Sequence, residues 1–196
     1  MKISRFFFAI SFALLSVNPS QATTVIPPDF DELVAQAEII FQGVVTESRS
    51  QFVGEGAQRH IVTYVTFKVD DVVKGTPGGS YTIRMLGGTV GDETMEVTDT
   101  PKFKIGDRDI LFVEKNGTQF VPLVGIMHGR FRVKREAATG REVVATSEGA
   151  ALSSVAKLGT QERQSEAGEK ALSVADFKAA VRGRVATHTA TGRQVE

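Results

Sequence analysis

The stretch Ile39-Ile40-Phe41-Gln42-Gly43-Val44-Val45 decides the fold class, because a short apolar run of this kind predicts a buried β-strand. Gly43 in its middle indicates a bulge or a sharp bend. His60–Val73 then alternates apolar and polar residues, the period of a half-buried strand, and Tyr81–Leu86 alternates again before Gly87-Gly88. The chain is therefore predicted to be mainly β.

Two predicted hairpins follow further along the chain. Asp109–Lys115 and Thr118–Val124 are joined by Asn116-Gly117, a pair that strongly favours a two-residue hairpin turn. Phe131–Glu136 and Arg141–Thr146 predict the second hairpin. Five to seven short strands with one or two helices favour a small, partly open β-barrel of the five-stranded oligomer-binding (OB) class, and a β-sandwich is the alternative.

Two helices are predicted, one at each end of this β region. Asp29–Ala37 combines a capping residue with apolar residues at helical spacing, and Ser173 opens a second helix with Asp176 at capping-box spacing. The second helix carries one apolar stripe, which we expect to pack back onto the barrel; a partner-binding face is the alternative. The stripe consists of Val174, Phe177, Val181 and Val185.

The first 22 residues have the order of a secretory signal: basic Lys2 and Arg5, the apolar run Phe6–Val17, and the small-residue site Ser20-Gln21-Ala22. The apolar run is shorter than the roughly 20 residues that span a bilayer. We therefore expect an exported bacterial protein, periplasmic or secreted, with no stable membrane insertion after cleavage. The predicted parts are a signal peptide (1–22), an OB-fold-like barrel (23–147), a helical appendage with a polar linker (148–186) and a disordered tail (187–196).

Composition narrows the classes of function. The 196 residues include 23 basic and 23 acidic residues, and this balance argues against binding to a nucleic-acid backbone, which needs a concentrated basic face. The chain has no cysteine, so disulfides, thiolate chemistry and cysteine-ligated zinc are excluded.

Enzyme machinery is sparse in the sequence. His60, His128 and His188 lie far apart, and none has a second ligand at metal-binding spacing. No serine lies in a nucleophile elbow, and adjacent carboxylates such as Asp70-Asp71 point to opposite faces of a strand. We therefore expect a protein that is not an enzyme and needs no cofactor.

The predicted mature amino terminus is the candidate binding segment. Cleavage after Ala22 leaves Thr23 with a free α-amino group, whose pKa near 8 leaves a useful neutral fraction that can ligate zinc. Pro27 and Pro28 favour an extended lead, which reduces the entropy lost when a peptide enters a cleft. This arrangement suggests a wedge that reaches a metal ion in another protein; an ordinary disordered end with a Pro-Pro spacer is the alternative.

The run Thr23-Thr24-Val25-Ile26-Pro27-Pro28, continued by Ala37–Val45, resembles the start of the tissue inhibitors of metalloproteinases, which begin Cys-Thr-Cys-Val-Pro-Pro. The likeness extends more loosely to Val124 through Tyr64–Val69 with Val72–Gly75, and through Ile110–Val113. It implies a netrin-like OB-fold barrel that inhibits a zinc metalloprotease.

The resemblance assigns roles by position. Thr23 would offer its amino nitrogen and carbonyl oxygen to the partner's zinc, Thr24 would enter the pocket beside the metal, and Val25, Ile26 and Pro27 would line the cleft, with Pro28 completing the segment. Thr23 and Val25 replace the cysteines that anchor the wedge in that family, so weaker inhibition is expected.

The chain also resembles uncharacterised bacterial exported proteins that share three short pieces, here Val72-Val73-Lys74-Gly75, Gly87-Gly88 and Gly129-Arg130-Phe131-Arg132-Val133. This second likeness implies no activity. The alternative function is a periplasmic or secreted module that binds a glycan, a peptide or an envelope protein through its barrel face and the loop Thr89–Lys104.

Overall fold

The computed structural model describes residues 27–137, 139–160 and 169–192. Two short 3-10 turns (Gly56–Gln58 and Val155–Lys157) accompany the helices and strands. The elements in chain order are α1 (Phe30–Gln36), β1 (Ile39–Val53), β2 (His60–Lys74), β3 (Ser80–Leu86), β4 (Gly88–Val90), β5 (Glu93–Met95), β6 (Arg108–Val113), β7 (Arg130–Arg135), β8 (Glu142–Ala145) and α2 (Val174–Gly192).

The predicted mainly β class is confirmed, with one helix before the strands and one after them. Six strands form one antiparallel sheet in the order β3-β2-β1-β6-β7-β8, and β4 and β5 form a separate small hairpin. The sheet is not closed into a barrel, because β3 and β8 remain its two edges. The more specific prediction, a small and partly open β-barrel of the OB class, is not confirmed by this sheet.

The tight hairpin predicted at Asn116-Gly117 does not form. Lys115 has a φ of +46°, and the amides of Thr118 and Gln119 donate to its carbonyl oxygen, so the chain makes a helical turn instead. The expected strand Thr118–Val124 is reduced to a single bridge between Val113 and Leu123.

Asn116 instead contacts the outer edge of β3 through its side chain. Its Oδ1 accepts from the amide of Arg84 at 3.1 Å, and its Nδ2 donates to the carbonyl of Thr82 at 2.8 Å. The amide of Leu86 donates to the carbonyl of Phe120 at 2.7 Å. The turn after β6 therefore covers this edge, as a neighbouring strand would.

Each face of the sheet has its own apolar core. One core contains Phe41 and Phe67, together with residues of β3 and β6. The two phenylalanine rings pack edge-to-face, with their centroids 5.7 Å apart. The other lies between the sheet and both helices, and contains Leu33 of α1 and Phe177 of α2. The α2 stripe is therefore buried against the sheet, as predicted.

The long strands β1 and β2 run together over their full lengths, from Ile40 opposite Lys74 to Val53 opposite His60. β1 is much longer than the seven-residue run that predicts it, because the polar residues after Val45 continue the pairing with β2. Gly43 lies at an irregularity in this pairing, as predicted, and a Cβ there would lie 2.6 Å from the carbonyl oxygen of Lys68.

Helix α1 is held at both ends. Asp29 and Glu32 form a capping box at its start, with each side chain accepting from the other residue's backbone amide. At its end, Lys74 Nζ donates to the carbonyl of Val34 at 2.8 Å, where the helix dipole favours a cation. Burial lowers the pKa of this Lys74 amine. Gly75 follows at φ +76°, where a Cβ would lie 2.8 Å from the carbonyl oxygen of Glu38.

Helix α2 is fixed to the sheet by one charged cluster as well as by its apolar stripe. Asp71 of β2 accepts from Lys178 Nζ at 2.6 Å and from Arg182 at 2.7 Å. Partial burial raises the pKa of the Asp71 carboxyl, but hydrogen bonds from the two cations outweigh this and hold the pKa below its ordinary value. The helix continues to Gly192, into the range 187–196 that the sequence predicts as a disordered tail.

We predict that Phe177→Ala lowers the free energy of unfolding by about 3–5 kcal/mol, because the ring is fully buried between Phe112 and Phe131. Phe120→Ala is the matched control, since the Phe120 side chain is 46% exposed and its removal should cost less than about 1 kcal/mol. Urea unfolding of both variants measures the difference, and equal losses would contradict the packing of α2.

Candidate functional site

The candidate site is a cleft of about 330 Å³ beside the second half of β1. Ser48 and Ser50 of β1, with Thr63 of β2 and Met85 of β3, form one side of it. The opposite side is the 97–103 segment, which follows the β4–β5 hairpin and includes Thr100 and Phe103. The cleft therefore lies over the inner face of three strands, with an irregular segment facing them.

A pair of glycines shapes the end of this cleft. Gly87 (φ +92°) and Gly88 (φ +135°) connect β3 to β4, and the chain reverses only at Gly91-Asp92 between β4 and β5. A Cβ on Gly88 would overlap the hydroxyl oxygens of Thr63 and Ser50. The sequence identifies Gly87-Gly88 as a turn, and the structure adds that only glycine leaves room for these hydroxyls.

The hydroxyls of Ser50 and Thr63 beside Gly88 are joined in a short series of hydrogen bonds. Thr63 Oγ1 donates to the carbonyl of Gly87 at 2.6 Å, so its single proton is used. Ser50 Oγ, at 2.9 Å, must therefore donate to Thr63 Oγ1. The remaining lone pairs of Ser50 are left as acceptors at the cleft wall, an arrangement that suits the binding of a polar donor.

Arg130 fixes the segment that forms the far side of the cleft. Its guanidinium, 3% exposed, donates to the carbonyl of Lys102 at 2.7 Å, to Asp107 at 2.8 Å and to Asp109 at 2.9 Å. It also lies 4.2 Å from the ring centroid of Phe103, over the aromatic face. One buried cation thus connects β6 and β7 to the segment 102–107.

The Asp109 carboxyl is the most strongly buried charge of this cluster. Burial raises its pKa, and the hydrogen bond and charge of Arg130 act in the opposite direction without fully cancelling that effect. Its Oδ1 has no hydrogen-bond partner among the described residues, whereas Oδ2 accepts from Arg130. Asp109 therefore serves as the inner anchor of Arg130 and is not exposed to a ligand.

The cleft lining suits a neutral ligand. Hydroxyls of Ser48, Ser50 and Thr100 alternate with apolar groups such as Met85 and Phe103, so the walls offer both hydrogen bonds and apolar contact. Among the described residues, Lys102 is the one charged residue of the lining, and its Nζ lies 3.8 Å from a Glu96 carboxylate oxygen.

The predicted binding segment is only partly described. Thr23, Thr24, Val25 and Ile26 lie outside the described residues, and Pro27 is half-buried at their end. Pro28 is buried, and its Cδ would lie 2.9 Å from a Cβ on Gly125. Pro28 therefore anchors the chain to the body of the protein and presents little surface to a partner.

The histidines singled out in the sequence are placed apart from one another. His60 lies at the start of β2, where Nδ1 is 2.8 Å from the carbonyl oxygen of Gln58 and Nε2 is 3.4 Å from Arg84. His128 lies in the turn before β7, and His188 lies on an exposed part of α2. Within the described ranges, no group of three or more His, Cys, Asp or Glu residues could hold a metal ion.

Sequence reasoning identifies the Thr89–Lys104 wall of the cleft but misses Ser48, Ser50 and Thr63 on the facing strands. A signal for them is present: the inner-face positions of β2 are apolar at Val65 and Phe67 but change to a hydroxyl at Thr63. The change from apolar to hydroxyl side chains on β1 cannot be seen in the sequence pattern, because a bulge between Val45 and Glu47 shifts which residues face inward.

Models of known protein families, curated proteins and solved structures give no match to this chain. In the part of the chain that is described, neither helix is both long and apolar enough to cross a bilayer.

We predict that Gly88→Ala destabilises the cleft and lowers the free energy of unfolding by at least about 2 kcal/mol, since the added methyl overlaps two hydroxyls at a positive φ. Gly79→Ala is the matched control, because a Cβ there meets nothing within 4 Å. Thermal unfolding compares the two variants. A Gly88→Ala protein as stable as Gly79→Ala would contradict the close approach at Gly88.

Proposed function

We propose that this chain is an exported, non-catalytic binding module whose ligand occupies the cleft between β1–β3 and the 97–103 segment. The carrying observation is the construction of the cleft, in which a rigid strand face lies opposite a segment that a buried arginine holds in place. Sites built on such supported elements bind without paying to order their walls. The signal-like residues 1–22 support export to the periplasm or the medium.

The fold is proposed to be an open variant of the OB barrel. Support comes from the inner core around Phe41 and Phe67, and from the Asn116 turn, which covers the β3 edge where a barrel would close. In OB folds, the strand face and the connecting loops carry the ligand contacts. The candidate cleft combines these two kinds of surface.

The ligand is proposed to be a glycan, a peptide or an exposed part of an envelope protein. A cleft of hydroxyls and apolar side chains with one paired lysine favours uncharged polar groups and small apolar groups over anions. The volume of about 330 Å³ lies at the small end of ligand-sized clefts, so we expect a few sugar units or a few side chains to enter.

We predict that Ser48→Trp, which fills the cleft from an exposed position on β1, weakens ligand binding at least tenfold, or about 1.4 kcal/mol. Arg49→Trp is the matched control, because the adjacent side chain lies on the opposite face of the same strand. Binding of the processed protein to a glycan array and to a random peptide library measures the effect. Ligands that bind both variants equally would place binding outside the cleft.

A second candidate function is inhibition of a zinc metalloprotease through Thr23. The specific observation in its favour is the anchoring at Pro28 and Asp29: Pro28 is buried beside Gly125, and a Cβ on Gly159 would lie 2.8 Å from the Asp29 Cα. The capping box then fixes Asp29 to α1. Packing at this point takes the place of the cysteine anchors of the tissue inhibitors, so the lead Thr23–Pro27 starts from a fixed point.

We predict that the processed protein beginning at Thr23 inhibits a zinc metalloprotease, and that acetylating the Thr23 amine raises the inhibition constant at least tenfold. The reason is that an acetylated nitrogen has no lone pair available for zinc. A version with one residue added before Thr23 is the second test, and the circular dichroism spectrum checks that the fold is intact. Unchanged inhibition by both forms would contradict the wedge mechanism.

A further inference from the structure

We propose that the cleft binds an extended peptide, which adds as a strand to the open edge of β1 between Thr46 and Val53. This inference rests on the proposed binding function and specifies both the class of ligand and the way it is held. The peptide would lie beside β1, facing the 97–103 segment, and so continue the sheet beyond the point where β6 ends.

The open edge results from the unequal lengths of the neighbours of β1. β2 pairs along the whole strand, whereas β6 pairs only with Ile39–Val44. On this side of β1, the last backbone hydrogen bonds are made at Val45. Its amide donates to the carbonyl of Asp107 at 2.9 Å, and its carbonyl accepts from the amide of Gly106 at 2.9 Å. From Thr46 to Val53, no backbone hydrogen bond joins this edge to another described residue.

The outermost edges of the sheet are covered by the chain itself. The Asn116 turn bonds to the outer side of β3, and on β8 the amide of Leu152 donates to Val144, whose own amide donates to Leu172. Unpaired stretches at the ends of β2 and β7 are shorter than Thr46–Val53. Proteins normally protect such an edge, because its free amides and carbonyls pair readily with another strand. The β1 edge is the long stretch left available, and it borders a cleft.

The cleft is placed where the side chains of an added strand would go. Side chains of successive strand residues point to opposite faces, so every second residue of the peptide would point to the same side of the sheet as Ser48 and Ser50, toward Val97 and Phe103 of the facing segment. Backbone pairing supplies affinity and the alternate pockets supply selectivity, which is the usual division in strand addition. Because the walls are apolar and hydroxylated, we expect small or medium apolar side chains at these alternate positions.

The length of the open edge sets the length of the peptide. Thr46–Val53 accommodates a partner of roughly eight residues, at about 3.3 Å for each residue. The exposed residues Glu47 and Arg49 lie on the face away from the cleft and carry opposite charges. We therefore expect the outward-facing residues of the peptide to be polar.

The experiment selects peptides from a phage-displayed library of random twelve-residue sequences on the processed full chain, and discards those that also bind Ser48→Trp. Each backbone amide of a selected peptide is then N-methylated in turn, and the affinity is measured by fluorescence anisotropy. Strand addition predicts losses of about tenfold at every second position and little change between them, because alternate amides donate to β1. Retained binding by Lys68→Trp is the control, because Lys68 is an exposed residue of β2 outside both the cleft lining and the open edge.

Other outcomes separate the two proposals. If N-methylation is tolerated throughout while Ser48→Trp still blocks binding, the cleft is a binding site but strand addition is wrong. If glycans bind the cleft and no peptide is selected, strand addition is likewise overturned. If peptides bind Ser48→Trp as well as the wild type, both proposals for the cleft are contradicted. If sedimentation shows a dimer that Ser48→Trp dissociates, the occupant is a second copy of the chain, and the peptide proposal is overturned.

Discussion

The structure depends on the point at which β1 and β6 stop pairing, next to Val45. β1 and β2 form a long ribbon, and β6 accompanies only the first half of β1. The chain turns at Gly106, with a φ of +89°, just before β6 begins. The side chain of Asp107 accepts from the amide of Lys104 at 3.0 Å and stabilises this turn. A sheet with strands of equal length would pair this edge of β1 along its whole length.

The same turn is tied to the core by charge. Asp107 bonds to β1 through its backbone and to Arg130 through its side chain. Removing one partner of a buried ion pair leaves the other uncompensated, and this usually costs about 3–5 kcal/mol. The segment 102–107 is therefore held to β1 and β7 by hydrogen bonds and charge, although it has no regular secondary structure. This rigidity makes the cleft a preformed feature of the molecule.

The three short pieces singled out in the sequence, 72–75, 87–88 and 129–133, have structural roles here. Lys74 donates to a carbonyl at the end of α1, and Gly75 begins the turn that follows β2. Gly87-Gly88 connects β3 to β4 beside Thr63. Gly129 leaves no space for a Cβ, which would lie 2.8 Å from the carbonyl oxygen of Phe112, and Arg130 follows it as the buried cation. These pieces preserve a backbone path and an anchor. They carry information about fold, and function has to be sought in the cleft beside them.

The sequence by itself located the six strands of the main sheet, the Asp29 and Ser173 helix starts and the buried stripe of α2, because each depends on residues a few positions apart. It predicted the segment 89–104 as a loop, whereas the structure forms the β4–β5 hairpin at the start of this segment. Only the tertiary structure decided that the sheet stays open and that Asn116 covers β3 instead of forming a hairpin. It likewise decided that Ser50, Thr63 and Gly88 meet at one end of a cleft. The physical reason is that these outcomes depend on contacts between distant parts of the chain, and no local pattern of side chains encodes where one strand stops beside another.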